Sequence, residues 1–283
     1  MKIYATATLI GRDKSGVIAS VTQFLFQNKA NIESLEEQVS RGQFSMTLQA
    51  SWLKENFDTV KVKKGLEKLA ADLKMELKLH IASAKAKQRM ALFVTKESHT
   101  LEAILAAVQQ GKIKATPALV ISNRPNLKPL AQKAGLPFLH IPYQDQDRKK
   151  AETKMLEVLE REQIDLIILA RFMKILSPQF VWRWKNKILN IHPSLLPAFP
   201  GAAAYRQAYE KGVKIIGVTS HFVTPDLDQG PIICQEALKV RPGETLASMI
   251  IRGQASESKC LVRAIQLVLK KRLDVHWGRV YGV

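Results

Sequence analysis

Two short stretches of this chain carry residues that can hold an anion or exchange a proton. The first, Leu189-Asn190-Ile191-His192-Pro193-Ser194-Leu195-Leu196-Pro197, sets Asn190 and His192 two positions apart. The second, Val223-Thr224-Pro225-Asp226-Leu227-Asp228-Gln229-Gly230-Pro231, carries two carboxylates, Asp226 and Asp228. A neutral donor, an imidazole and a carboxylate on strand-end loops can converge in one cleft and do acid–base work there. As residue types alone they leave a second reading open. A histidine beside a strand end is commonly a loop residue with a satisfied hydrogen bond, and an Asp two residues before Gly-Pro commonly serves a turn.

The elements that must position these residues can be read from hydrophobic pattern. Residues 187–191 form a short apolar run of strand length, after which Pro193 and Pro197 forbid helix and hold the loop open. Residues 215–224 are β-rich and lead into the loop of Asp226 and Asp228. His221 lies on that run, where it either orients Asp228 or is an ordinary strand histidine. Upstream, the pattern predicts strands at 90–95, 118–122, 137–141 and 165–169, with helices at 101–109, 127–134 and 149–161 between them. That alternation argues a mainly parallel, Rossmann-like α/β sheet covered on both faces, whose ligands bind beyond the carboxyl ends of its strands. No Gly-x-Gly-x-x-Gly follows any of these strands, so a dinucleotide cofactor lacks its fingerprint. A long helix at 245–269 places Leu246, Met249, Gly253, Cys260, Ala264 and Val268 on one stripe.

The first eighty residues follow a different plan. A strand at 2–10 runs into the turn Gly11-Arg12-Asp13-Lys14-Ser15-Gly16, and a helix at 17–28 follows with Val17, Val21, Phe24 and Leu25 on one face. Strands at 31–39 and 43–52 are joined through Arg41-Gly42. A helix at 57–73 turns Val60, Leu66, Leu69 and Leu73 inward, and a strand at 74–81 alternates Met75, Leu77, Leu79 and Ile81 with polar residues. The order βαββαβ is the ferredoxin-like α+β arrangement. The expected division is a domain at 1–82, a small-residue basic linker at 83–88 and a second domain at 89–283. Gly11 and Gly16 do not make a phosphate loop, because Val17 stands where its lysine belongs.

Composition narrows the function. The chain has 283 residues and a formal net charge of +18, which favours anionic partners. Its lysines and arginines are spread out, the tightest cluster being Lys61, Lys63 and Lys64, without the interleaved aromatics of a single-strand groove. Small polyanions are therefore the expected partners rather than nucleic acid. The N-terminus lacks a signal-peptide pattern and no apolar run reaches membrane-span length, so a cytoplasmic protein is expected, without membrane partners. Two cysteines, Cys234 and Cys260, argue for a reducing compartment without a disulfide framework. No metal-ligand spacing occurs among the six histidines.

The wording of the two site stretches, Asn190-Ile191-His192-Pro193-Ser194-Leu195-Leu196-Pro197 and then His221-Phe222-Val223 with Leu227-Asp228-Gln229-Gly230-Pro231, resembles the active-site signature of the folate-dependent formyltransferase family. The resemblance implies Asn190, His192 and Asp228 as a catalytic trio. It also implies a folate pocket under Met173, Lys174, Ile175 and Leu176 and against the loop from Val223 through Asp226, with His221 in a supporting place. The segment Gly11-Arg12-Asp13-Lys14-Ser15-Gly16-Val17-Ile18-Ala19 with Asn31-Ile32 resembles an ACT domain. That likeness implies self-association to a dimer or tetramer and an amino-acid effector near Gly11, Asp13 and Asn31.

An ACT-like domain joined to this core is similar to the hydrolytic branch of the family. The implied reaction is hydrolysis of 10-formyltetrahydrofolate to tetrahydrofolate and formate, in support of one-carbon and purine metabolism. The folate would be substrate, with no metal or resident cofactor. The branch that formylates glycinamide ribonucleotide has a glycine-rich phosphate cradle where this chain has Thr95-Lys96-Glu97-Ser98-His99-Thr100. Those side chains are expected to fill the acceptor space. Pro193 and Leu195, in contrast, are spelled as in that branch. Transfer to an amine, whether a ribonucleotide or a methionyl-tRNA, is thus a second reading. The tRNA version is disfavoured because the chain ends soon after the last core helix. A non-catalytic folate- or amino-acid-binding regulator is a third reading, for which the full trio would have no use.

Overall fold

A computed structural model describes residues 2–40, 42–81, 87–144, 147–270, 273–276 and 278–282. The chain divides into two compact units, Met1–Ala86 and Lys87–Val283. The segment 83–86 of the expected linker lies outside the described residues.

The first unit follows the order β1 (Lys2–Arg12), α1 (Val17–Gln27), β2 (Asn31–Ser40), β3 (Gln43–Leu53), α2 (Thr59–Asp72) and β4 (Glu76–Ile81). Its four strands form one antiparallel sheet in the order β2-β3-β1-β4. Alternation puts Phe44, Met46, Leu48, Ala50 and Trp52 of β3 on the face that meets Val17, Val21 and Leu25 of α1. The inward stripe of α2 differs from the expected one. Val62, Leu66 and Ala70 are buried, Leu69 and Leu73 are half-buried, and Val60 is 61 % exposed. The cause is the start of the helix: Asp58 caps it by accepting from the Val60 and Lys61 amides, and that phase turns Val60 to solvent.

The second unit is an α/β sheet. Its parallel strands are β5 (Arg89–Val94), β6 (Thr116–Ser122), β7 (Phe138–His140), β8 (Leu166–Leu169) and β9 (Ile188–His192). The antiparallel strands β10 (Ile215–Phe222) and β11 (Ile232–Lys239) extend one edge. The order is β11-β10-β9-β8-β5-β6-β7, so its direction of growth reverses at β5. Residues alternate between two cores: Met90, Leu92 and Val94 join one, Ala91 and Phe93 the other. The all-apolar run of β8 is buried throughout, as expected of a strand covered on both faces.

The helices are α3 (His99–Gln109), α4 (Lys128–Lys133), α5 (Arg148–Arg161), α6 (Pro178–Arg183), α7 (Ala204–Glu210) and α8 (Leu246–Leu269). At ~1.5 Å per residue α8 is about 36 Å long and packs on α3, α7 and the antiparallel edge. Its buried stripe includes Met249, Gly253, Cys260 and Ala264, and also Glu257. A short hairpin, β12 (Asp274–His276) and β13 (Arg279–Tyr281), ends the described chain. Strand β11, the short helices α6 and α7 and this hairpin carry patterns too short or too mixed to be read from sequence. Cys234 on β11 and Cys260 on α8 are free and buried. Among the described residues no helix is long and apolar enough to cross a membrane.

Candidate active site

The point where an open α/β sheet reverses its order leaves a crevice beyond its strand ends. Here that crevice lies between β5 and β8 and extends to β9. It holds a cleft of about 610 Å³ lined by Glu97 after β5, by residues 171–176 after β8, and by Asn190, His192, His221 and Asp228.

Asn190 and His192, two apart on one strand, project from the same face of β9. The register of β10 sets His221 opposite Asn190 and Thr219 opposite His192. Thr219 anchors the loop after His192 by accepting from the Leu196 amide at 3.0 Å and donating to the Ser194 carbonyl at 2.7 Å. His221 is buried, and its Nδ1 donates to the Phe222 carbonyl at 2.8 Å. Its Nε2 then accepts from Asn190 Nδ2 at 3.2 Å, which fixes that amide and leaves its second N–H free. Burial holds the His221 ring below its ordinary pKa, against the opposing pull of the Phe222 carbonyl and Asp228, so the neutral form suits this arrangement.

His192 is almost wholly buried between two acceptors. Its Nε2 lies 2.9 Å from the Phe199 carbonyl and its Nδ1 lies 3.2 Å from Asp228 Oδ2. Only a ring protonated on both nitrogens satisfies both contacts. Asp228 Oδ2 also accepts from the Gly201 amide at 2.8 Å, and Oδ1 lies 3.8 Å from His221 Nε2. Asp228 has a left-handed backbone, φ 56°, which Asp tolerates better than most residues. The loop can turn back there because Gly230 follows: a Cβ at that position would stand 1.7 Å from the Phe222 carbonyl oxygen.

The opposite wall is the loop after β8. Met173 and Ile175 are exposed to the cleft, Leu176 is buried, and Lys174 Nζ lies 5.9 Å from the centre of the Tyr143 ring. The loop is held from behind. The Met173 amide donates to Thr95 Oγ1 at 3.1 Å, and the Tyr143 hydroxyl lies 2.8 Å from the Ile175 carbonyl, which shares its single proton. Glu152, itself buried, accepts from that hydroxyl at 2.6 Å and from the Ser177 amide at 2.7 Å. Burial, with the Glu152 carboxylate beside it, pushes the Tyr143 phenol well above its ordinary pKa. Val223 and Asp226 complete the rim.

The structure thus brings together Asn190, His192, Asp228, His221, Met173, Lys174, Ile175, Leu176, Val223 and Asp226 around one cleft. It does not bring together the three residues expected at an effector site. Gly11 pairs with Phe44 near the start of β3, whereas Asn31 pairs with Ser51 near its end. That separation along the strand is roughly 23 Å at ~3.3 Å per residue. Asp13 alone of the three lines a cavity, of about 500 Å³, at the amino end of α1.

The expectation for residues 96–99 also needs correction. Glu97 lines the cleft, whereas Lys96, Ser98 and His99 do not; His99 turns away and its Nε2 lies 3.0 Å from Glu257 Oε2. Tyr205 and Arg171 take that side of the wall instead. Arg171 and Glu257 went unread in the sequence, although a carboxylate between Gly253 and Cys260 on an apolar stripe was a visible signal. For Arg171 the only signal was its place just beyond a strand end.

The chain as a whole is similar to proteins already known. The formyl transferase family model matches residues 88–265, and an ACT domain model matches residues 4–80. A formyltetrahydrofolate deformylase of Synechocystis sp. is 36% identical over 278 residues, which is 97% of each chain. One of Bacillus subtilis is 36% identical over 93% of this chain and 88% of its own. Among solved structures, a formyltetrahydrofolate deformylase of Pseudomonas syringae pv. tomato is 30% identical with a TM-score of 0.68, covering 99% of this chain and 94% of that one. A glycinamide ribonucleotide transformylase of Symbiobacterium toebii is 36% identical with a TM-score of 0.66, covering 70% of this chain and 98% of its own.

Proposed function

This chain belongs to the formyl transferase family, with an ACT domain ahead of the formyl transferase core, and on that premise we propose that it hydrolyses 10-formyltetrahydrofolate to tetrahydrofolate and formate. The observation that carries the reading is the convergence of Asn190, His192 and Asp228 in one cleft, on a chain similar to deformylases across both of its units.

The formyl group enters the cleft with its oxygen toward the free N–H of Asn190. Water adds to the formyl carbon, and the negative charge that develops on oxygen is met by that donor, an interaction worth on the order of 10²–10³ in rate. His192 lends a second donor once the oxyanion displaces the Phe199 carbonyl from Nε2. Asp228, held by the Gly201 amide and by His192, accepts the proton from the attacking water and returns it to N10 as the carbon–nitrogen bond breaks. His221 acts through Asn190 by fixing its amide. The folate stacks under residues 173–176 and against Val223 and Asp226, where backbone groups read its pterin. It is a substrate, and the reaction as written uses no metal or resident cofactor.

The setting is cytoplasmic one-carbon and purine metabolism. An amino-acid effector beside Asp13 and assembly of the ACT unit into a dimer or tetramer belong to the same reading. Sedimentation of the intact chain as a monomer at micromolar concentration would remove the assembly part.

Amine transfer is kept as the alternative on one observation, the likeness of the core to a ribonucleotide transformylase. Incubation with 10-formyltetrahydrofolate, following formate and tetrahydrofolate with and without glycinamide ribonucleotide, separates the two. Release of formate in step with tetrahydrofolate is expected, unchanged by the amine. Formylation of the amine faster than formate release would overturn the hydrolase reading.

A further inference from the structure

Arg171 lines the cleft, yet the hydrolysis as derived leaves it without a task. It stands two residues beyond Leu169, the last residue of β8, and Leu169 pairs in register with Asn190. Its backbone therefore borders the strand end that carries the reacting groups. That backbone is left-handed, φ 63°, which costs a residue with a Cβ roughly 1–2 kcal/mol. A strained conformation next to reacting groups is a reason to look for a function in the side chain.

The side chain is built in. It is only 14 % exposed, and its Nε is fully buried 3.5 Å from Glu257 Oε2, too far for a good hydrogen bond. Glu257 is itself fully buried on α8, where Oε1 accepts from the Tyr205 hydroxyl at 2.8 Å and Oε2 lies 3.0 Å from His99 Nε2. Burial opposes the charge on Glu257, but the His99 hydrogen bond, the Arg171 charge and the Tyr205 hydroxyl outweigh it and hold the carboxyl below its ordinary pKa. A fixed carboxylate thus stands behind the guanidinium. Among the described residues no hydrogen-bond acceptor engages the Nη1 or Nη2 nitrogens. Of its nitrogens only Nε is fully buried without a partner, so the two Nη groups keep solvent contact on the cleft wall and can donate to an anion there.

We propose that Arg171 forms a small-carboxylate subsite in the cleft, with formate as its ligand. The proposal rests on the hydrolase reading, because formate is the anion that reaction releases beside Asn190. The guanidinium fork matches the two oxygens of a carboxylate. One of those oxygens comes from the attacking water and the other from the formyl group, and the carboxylate passes to the guanidinium once the carbon–nitrogen bond has broken. The shielding of Arg171 suits a one-carbon acid better than a bulky one.

The test is direct binding of carbon-13 formate, followed by NMR line broadening on the intact protein without folate, alongside separate turnover assays. The parent chain is expected to broaden the signal saturably. Arg171→Ala and Arg171→Gly should each weaken binding by at least about tenfold, the loss of one charge-assisted contact. The glycine variant keeps the left-handed backbone without strain and so guards against a folding failure. Formate affinity within about twofold of the parent in Arg171→Gly would overturn the proposal. So would equal competition by chloride, or by glutamate in place of formate. Formate binding that depends on Arg171 in a chain with no hydrolase activity would retain the subsite and reject the activity. Turnover without saturable formate binding would do the reverse.

Discussion

Asp228 can be tested almost without disturbing its surroundings. Asn has the same shape and also accepts a left-handed backbone, so Asp228→Asn should preserve the turn at Gly230 and the hydrogen bond from Gly201. What it removes is the proton acceptor. Turnover should fall by about 10²-fold or more while folate affinity, read by fluorescence quenching, changes little. A rate within a few-fold of the parent would eliminate the proposed role. His221 offers a second test. Burial lowers its pKa in the folded chain below the ordinary value of 6.5, so below that pH the unfolded chain binds the extra proton first. Its contribution is complete above pH 6.5 and declines as pH falls from there toward the folded value. Urea titrations at pH 7.5 and 5.5 should show a larger loss of stability for the parent than for His221→Gln. Parallel losses would show that His221 is not responsible.

At the scale of elements, α8 packs with little room to spare at Gly253. A Cβ on Gly253 would lie 2.2 to 2.5 Å from the ring and hydroxyl of Tyr205, so any side chain there must displace the ring. Tyr205 then loses Glu257, and Glu257 loses part of its support. Gly253→Ala gains about 1 kcal/mol of helix propensity. Overpacking of this kind costs typically 1–3 kcal/mol, and the lost buried hydrogen bond adds to it. A net fall in thermal midpoint is expected, and an unchanged or raised midpoint would show that the Tyr205 contact matters little. The corrected phase of α2 teaches the same lesson on a smaller scale. One cap, Asp58, decides which of two valines four residues or two ahead enters the core.

For the molecule as a whole, the chain carries a formal charge of +18, and the folate proposed as its substrate is an anion. Such a field speeds encounter with anions and is screened by salt, with a Debye length of about 8 Å at physiological ionic strength. Raising sodium chloride from low to physiological levels should therefore lower kcat/KM more than kcat. Equal effects on both would mean that the charge serves solubility rather than capture. The two units have their own cores, and the residues that line the cleft all belong to the second.

The amino-acid sequence by itself determined what depends on neighbours along the chain. Alternation and helical period set the strands and helices of the first unit and the parallel strands and longer helices of the second. The spacing of Asn190 and His192 put them on one side of one strand, and the wording of two loops placed the chain in its family. Tertiary structure decided what depends on segments far apart in sequence. The reversal of sheet order at β5 created the crevice, and pairing of β9 with β10 put His221 against Asn190. The long β10–β11 loop brought Asp228 to His192. Arg171 and Glu257, 86 positions apart, meet only because α8 packs across β9 and β10. The same dependence on distance separated Asn31 from Gly11, which strand register sets near opposite ends of β3. Local pattern fixes periodicity, but a long-range contact follows from strand order and register, which periodicity alone leaves undetermined.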